Sequence, residues 1–434
     1  MPDFKTDEDA LVDNAAFAEA QLRLSEVINK HTDAPALSNE AVTGHTASLW
    51  KYLPVPADEP EPHDEYANRT LELPGGRVLA ARVRGKKHKH EGTNCDDWYE
   101  IETAGDMIIV AVSDGAGSKK YSRIGARESC KAAAAFLKDK LTELAEQTPG
   151  FAENICGDMS SEAFIEVCGK LAGALRLSFS AAYEAIVAAF EARRLDMTFG
   201  EGFRFKDLSG TLLVSVIVPA MVNGAQEHLV ISCQIGDGAT AVMNTSGTFG
   251  SSLRILSEQD KGEFSGETDF LTSSKLERPD FLGGKTRIYR GAVNVFMSMT
   301  DGVADDYFPS ETELYRLYFD LVVNGVLGGL TELPEQFNKE HIGLIKKLPA
   351  PLSYPWINDP SQTVALQYTK RICEALGLTY KEIWERPEIL FLASEMEKVD
   401  DPSERLKIWL DNYVERGSFD DRTLVIVKFN TVKL

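Results

Sequence analysis

The sequence predicts an α+β fold in which antiparallel sheets carry helices on their outer faces. Three observations lead there. The strand-like runs come in groups: "RVLAARVRG", "DWYEIET" and "DMIIVAVSD" lie before two helical blocks, and "GTLLVSVIVPAMV", "HLVISCQIGDGATAVMN" and "AVNVFMSMTDG" lie after them. A parallel α/β fold would alternate strand and helix instead. The helical blocks, Tyr121 to Gln147 and Ser160 to Arg194, are long, and the second carries an Ala/Leu/Phe face at helical spacing, the mark of packing onto a core. Finally, about a hundred mostly helical residues follow Asp306, and the chain then returns to one more strand, "RTLVIVKFN".

Taken in order, residues 1 to about 48 can form an acidic amphipathic helix around "NAAFAEAQLRLSEVINKH". The stretch "LPVPADEPEPHDEY" is rich in Pro and Glu, cannot stay helical, and reads as a linker. Residues 1–75 are therefore expected to be an arm and tether, and 76–434 the folded domain, with a helical insertion at about 308–410 broken by "LPAPLSYPW". No internal repeat is present.

Of the 434 residues, 43% are hydrophobic and 26% charged, enough for a large core. A net charge of −21 argues against a nucleic-acid backbone as partner. No apolar run reaches membrane-spanning length, so no membrane association is expected. The acidic start lacks an apolar signal core, and the six scattered cysteines form no metal-binding spacing; both lead us to expect a cytoplasmic protein with core cysteines.

The chemistry lies at the strand ends. Asp96 and Asp97 open one strand, Asp114 ends another in "VSDGAGS", Asp207 precedes a third, and Asp237 sits in "QIGDGAT". Asp301 ends "VFMSMT" with Asp305 one turn later, and Asp420 and Asp421 open the last strand. Any one Asp-Gly is an ordinary turn, and Asp305 or Asp306 can cap a helix. If the strand ends converge, however, five or more carboxylates meet, and they repel unless cations sit among them. Oxygen-only donors suit Mg²⁺ or Mn²⁺. The Asp114 turn could instead cradle phosphate, but no phosphate-loop sequence G-x-x-x-x-G-K-[ST] accompanies it.

The ordered set "CDDWYEI", "VSDGAGS", "DLSGTLL", "QIGDGAT", "MTDGVADD" and "FDDRTLVIV" resembles the metal-dependent protein phosphatases, the type 2C family, in its bacterial form; the resemblance spans about Gly85 to Lys428. It implies a β-sandwich flanked by helices (αββα) with a binuclear Mg²⁺/Mn²⁺ site at one end. It implies that Asp114 bridges the metals, with the Gly115 carbonyl as a ligand. Asp301 and Asp420 would hold one ion, and Asp96 and Asp97 would serve the other directly or through water. Asp207 and Asp305 match a third, weaker site. Asp237 is expected to shape its turn, and Thr211 and Thr423 to be strand residues of the core. The implied activity is hydrolysis of phosphoserine and phosphothreonine by a metal-bridging hydroxide. The implied partners are a phosphorylated protein, a Ser/Thr kinase or its target. A catalytically inactive regulator or sensor on the same fold is the alternative, against which the intact acid set speaks.

The sequence departs from the family pattern before the first acid, where Gly92 stands for the usual phosphate-binding arginine. "GKKHKHEG" supplies Lys86, His88 and His90 nearby. His88 is read either as a phosphate contact or general acid, or as part of a solvated basic turn; Lys86 and His90 are candidate substrate contacts. Lys119 and Lys120, which follow the altered Gly117-Ser118, read as an exposed helix start.

Overall fold

The computed structural model describes residues 52–244, 253–257, 269–278, 280–307, 399–412 and 419–430, with the single positions 314, 317, 318, 321, 326 and 327. The helix expected within residues 1–48, and most of the insertion expected at 308–410, fall outside the described residues.

The described strands form two antiparallel sheets. In the first, the spatial order is β1 (Tyr66–Leu73), β2 (Gly76–Val83), β11 (Arg422–Phe429), β10 (Val295–Met299), β7 (Ala239–Met243) and β8 (Leu253–Ile255). In the second it is β3 (Trp98–Ala104), β4 (Met107–Ser113), β5 (Leu212–Val222), β6 (Ala225–Ile235) and β9 (Thr286–Gly291). The described helices are α1 (Lys86–Glu91), α2 (Ser122–Gln147), α3 (Phe151–Cys156), α4 (Glu162–Arg193), α5 (Phe281–Lys285), α6 (Asp301–Tyr307) and α7 (Pro402–Asn412). The tight β5–β6 hairpin turns on Asn223 and Gly224, whose positive φ values of 52° and 80° match the right-handed twist of the strands they join.

The near-continuous apolar runs have a simple cause: the central strands are buried on both faces. In β2, Val78 and Ala80 face the space between the sheets, and Leu79, Ala81 and Val83 face outward. In β4, Ile108, Val110 and Val112 face the first sheet, and Met107, Ile109 and Ala111 face outward with Leu137 of α2 and Leu171, Leu175 and Phe179 of α4. The outer side of the first sheet packs with Val303 and Tyr307 of α6 and Leu406, Trp409 and Leu410 of α7, joined by Leu314, Leu317 and Tyr318. Three apolar layers therefore separate helix, sheet, sheet and helix, as the αββα expectation required. Each fully buried Leu, Ile, Val or Phe contributes about 1.5–3 kcal/mol.

Two expectations change. Helix α4 is long and apolar enough, by length and composition alone, to cross a membrane. Its apolar content has another explanation, since Phe164, Leu171, Leu175, Phe179 and Ile186 are buried against the second sheet. The Pro/Glu-rich stretch is not a tether either. Arg123, a fully buried side chain of α2, donates to the Pro60 and Glu61 carbonyls at 2.6 and 3.1 Å and to Glu59 Oε1 at 2.7 Å. Arg127 and Arg193 both hold the Glu61 carboxylate, which lowers its pKa to about 2, Arg193 contributing most. Residues 66–73 then form an edge strand. The folded domain thus begins by Tyr52, not near residue 76. Prolines break helices but do not prevent a strap whose carboxylates and carbonyls meet buried arginines.

Candidate metal centre

Asp114 leaves β4 into a turn that is zipped to the chain entering β5. Its N–H donates to Thr211 Oγ1 at 2.8 Å, and its carbonyl accepts from Thr211 N–H at 2.8 Å. Gly115 pairs with Gly210 in an isolated bridge, and Ala116 N–H donates to the Ser209 carbonyl at 3.0 Å. A side chain on Gly115 would press on the Asp96 carbonyl and on Ser122. The backbone of the turn is therefore pinned to the chain entering β5, and the Asp114 carboxylate projects from a fixed base.

Asp237 lies between β6 and β7, after Gly236 with φ of 115°. Buried Gln234 donates to the Gly236 and Gly238 carbonyls at 3.1 and 3.2 Å, spanning the turn. Asp301 opens α6 directly after β10 and Thr300. One carboxylate oxygen from each of Asp114, Asp237 and Asp301 lies within 4.8 Å of the other two. This corrects the expectation that Asp237 only shapes its turn: the packed glycines on either side fix the backbone, and the side chain joins the acids.

The electrostatics of this group are those of charges forced together. Asp114 is pushed well above the usual carboxylate range by burial, and then by Asp301, Asp97, Asp420 and Asp237. Asp301 is raised to about 8 by burial, then by Asp237, Asp420, Asp97 and Asp305. Asp305, one turn along α6 and open to solvent on one side, is raised by partial desolvation of its carboxyl, then by Asp237 and Asp420. So Asp420 and Asp305 lie in the field of the group. Asp207 sits in a short turn of 3₁₀ helix, and its carboxylate accepts from the Arg204 N–H at 2.7 Å.

The two acids before β3 part company. Asp97 is fully buried, and its Oδ2 accepts from the hydroxyls of Thr300 and Thr423 at 2.8 and 2.6 Å. Its Oδ1 is buried with no hydrogen-bond partner, and its pKa rises to about 7 through burial and then Asp421. Asp96 belongs with His88 and Asp421, one ligand-type atom of each within 4.8 Å of the others.

His88 is not in a solvated turn. It is buried on α1, and its Nδ1 lies 2.8 Å from Asp421 Oδ2, with Nε2 4.0 Å from Asp420 Oδ1. Burial alone lowers its pKa, but the charge and hydrogen bond of Asp421 outweigh that and hold it at about 10. Asp421 also accepts the Gly85 N–H at 2.6 Å on Oδ1 and the Asp96 N–H at 2.5 Å on Oδ2. With its oxygens so engaged, the trio is a hydrogen-bonded ion pair flanked by Asp96 rather than a second cation pocket. Asp421 is the functional residue that the sequence alone does not single out; its one signal is the doublet "DD" before the last strand. Lys86 is half-buried, and the charges it feels are Arg422, Asp411 and Lys89, not the carboxylate group. His90 is exposed.

The residues fit hard divalent cations. Every donor of the Asp114 group is a carboxylate oxygen, and buried Asp97 Oδ1 lacks the donor its burial demands.

Among solved structures, the chain is similar to RsbX in complex with magnesium, at 11% identity and a TM-score of 0.32, covering 84% of this chain and 100% of that one. It is similar to a serine-threonine phosphatase 2C from Toxoplasma gondii at 13% and 0.40, covering 85% and 100%. It is also similar to the serine/threonine phosphatase Stp1 from Staphylococcus aureus at 10% and 0.34, covering 84% and 99%. A search of curated proteins found no match. The family profile described as protein phosphatase 2C matches residues 84–327, more than half of the chain, and the chain therefore belongs to the protein phosphatase 2C family.

Proposed function

We propose that this protein hydrolyses phosphoserine and phosphothreonine in phosphorylated proteins, with Mg²⁺ or Mn²⁺ as cofactor, in the cytoplasm. The observation that carries the reading is the convergence of Asp114, Asp237 and Asp301 from three separate strand ends, in the field of Asp420 and Asp97. Such a cluster is costly as bare charge and useful as a cation seat. Asp114, Asp237, Asp301 and Asp420 would hold the ions, with Asp97 Oδ1 and the Gly115 carbonyl as further donors. Divalent ions bound there supply positive charge against phosphoryl oxygens and ease the ionisation of water.

The chain's own residues do the rest. Thr300 and Thr423 hold Asp97 and tie it to β10 and β11. Thr211 fixes the Asp114 backbone. Asp421 orients the His88 ring by its Nδ1, which turns Nε2 toward Asp420. From there His88 can hold a proton near the leaving oxygen of a serine or threonine phosphate, an alkoxide that needs protonation. The described cysteines are free thiols, as a reducing compartment requires.

The test is hydrolysis of phosphothreonine and phosphotyrosine peptides with Mn²⁺ and with excess chelator. The reading expects Mn²⁺-dependent release from phosphothreonine in preference. Full activity in chelator, or none with any divalent ion, overturns it.

A further inference from the structure

We propose that Asp411 is a positioning residue for the His88–Asp421 pair, acting on it through Lys89 in a turn of α7 whose backbone also holds Arg422. Its catalytic consequence rests on the phosphatase reading; its structural part does not. Asp411 lies in the last turn of α7. Its Oδ1 accepts from Lys89 Nζ at 2.6 Å and its Oδ2 from the Tyr66 hydroxyl at 3.2 Å. Lys89 is the residue next to His88, and it also reaches the Tyr66 hydroxyl at 2.9 Å and Glu65 at 3.4 Å. On the other flank, the neighbouring Leu410 carbonyl accepts from Arg422 Nη1 at 2.8 Å, and Arg422 is the residue next to Asp421. One turn of α7 thus grips the chain beside both members of the pair.

This grip matters because α1 cannot hold itself. It has six residues, and no side chain caps its N-terminus. A helix so short takes its place from tertiary contacts. Buried Arg84 supplies one, donating to the His88 carbonyl at 2.7 Å, and the Lys89–Asp411 pair supplies another. Lys86, Lys89 and Arg422 crowd the same spot, and of the charges bearing on Lys86 the stabilising one is Asp411. Without that charge the cations repel, α1 shifts, and the His88 ring shifts with it.

Two variants separate positioning from mere docking of α7. Asp411→Asn removes the charge at one end. Asp401→Asn loosens the other end, where Asp401 accepts from Thr70 Oγ1 at 2.6 Å and the Ser403 N–H at 2.9 Å. The readouts are the downfield proton resonance of the His88 imidazole N–H, assigned with His88→Gln, and kcat and KM on an aryl phosphate with Mn²⁺. Asp411→Asn is expected to shift or broaden the resonance and to lower kcat by about 10- to 100-fold with little change in KM. Asp401→Asn is expected to lower Tm and leave both untouched. Should Asp411→Asn fail to fold, the double variant Lys89→Met/Asp411→Leu removes both partners of that ion pair at once and is expected to move the resonance in the same way. An unmoved resonance in the Asp411 variants, or equal movement in Asp401→Asn, overturns the proposal. If the wild type hydrolyses nothing with Mn²⁺, the phosphatase reading fails, and the resonance still decides the positioning role.

Discussion

Replacing Asp237 with Asn should stabilise the metal-free protein and weaken its response to cations. At an effective dielectric constant of about 20, two unit charges 4.8 Å apart repel by about 3–4 kcal/mol. Asp237 has two such neighbours, Asp114 and Asp301, each within that distance. A shared proton relieves part of the repulsion, since Asp301 is raised to about 8, and the half-exposed position of Asp237 screens more. A net gain of about 1–3 kcal/mol for the metal-free Asn variant is therefore reasonable. Losing a ligand acts the other way, lowering cation affinity by about 10- to 100-fold or more. With Mn²⁺ at a hundred times the wild-type Kd, binding adds about 2.7 kcal/mol to the wild type; a hundredfold weaker variant gains only about 0.4 kcal/mol. The assay is thermal unfolding in chelator and across a Mn²⁺ titration. The expected result is a raised Tm in chelator and a smaller Mn²⁺ increment. A lowered Tm in chelator with a full Mn²⁺ increment would falsify the reasoning and return Asp237 to a role in its turn.

The remaining predictions address the frame of the site. Burial pushes His63 down to about 3 and His228 down to about 4; both are neutral in the fold, His63 against Trp98 and His228 stacked on Phe429. The unfolded chain binds their protons from about pH 6.5 downward, so their contribution is complete above that pH and is lost as pH falls toward 4. Urea unfolding from pH 7.5 to 4.5 should show this slope, and His228→Phe should flatten it; an unchanged slope refutes the assignment. A chain beginning at Tyr52 should keep the Tm of the folded domain. One beginning at Leu71 should not fold, because it cuts β1 and strands buried Arg123, a loss of about 3–5 kcal/mol; a stable, soluble chain from Leu71 would show the strap to be dispensable. Gly302→Ala would drive its Cβ into the Asp421 carbonyl, at about 1–3 kcal/mol. It should weaken Mn²⁺ binding by displacing Asp301 from Asp420, and calorimetry giving wild-type affinity would contradict that.

How much of this was legible in the sequence depended on whether a residue's role is set by its neighbours in the chain or in space. Strands buried on both faces leave apolar runs that mark themselves, and β2, β4 and β10 stand where those runs lie. Asp114 and Asp301 end such runs, so their place at one end of the sandwich followed from the strands. Asp237 also ends a run, but glycines on both sides gave it the look of a simple turn; only the packing of Gln234 and Thr211 around that turn shows why the backbone must be tight there. The strap at residues 52–64 misled for a related reason. Its prolines speak about helix, and nothing in them announces three arginines from α2 and α4. His88 is the extreme case. Its partner Asp421 is 333 positions away, and a histidine among lysines looks solvated until a carboxylate is found to share its burial. Asp421 has the complementary history: as one half of an acidic doublet it looked redundant with Asp420. The structure divides the doublet by direction, Asp420 toward the acids of α6 and Asp421 toward α1. Both residues precede β11, outside the regular alternation of the strand, and two equal letters at a strand entrance thus serve two different tasks.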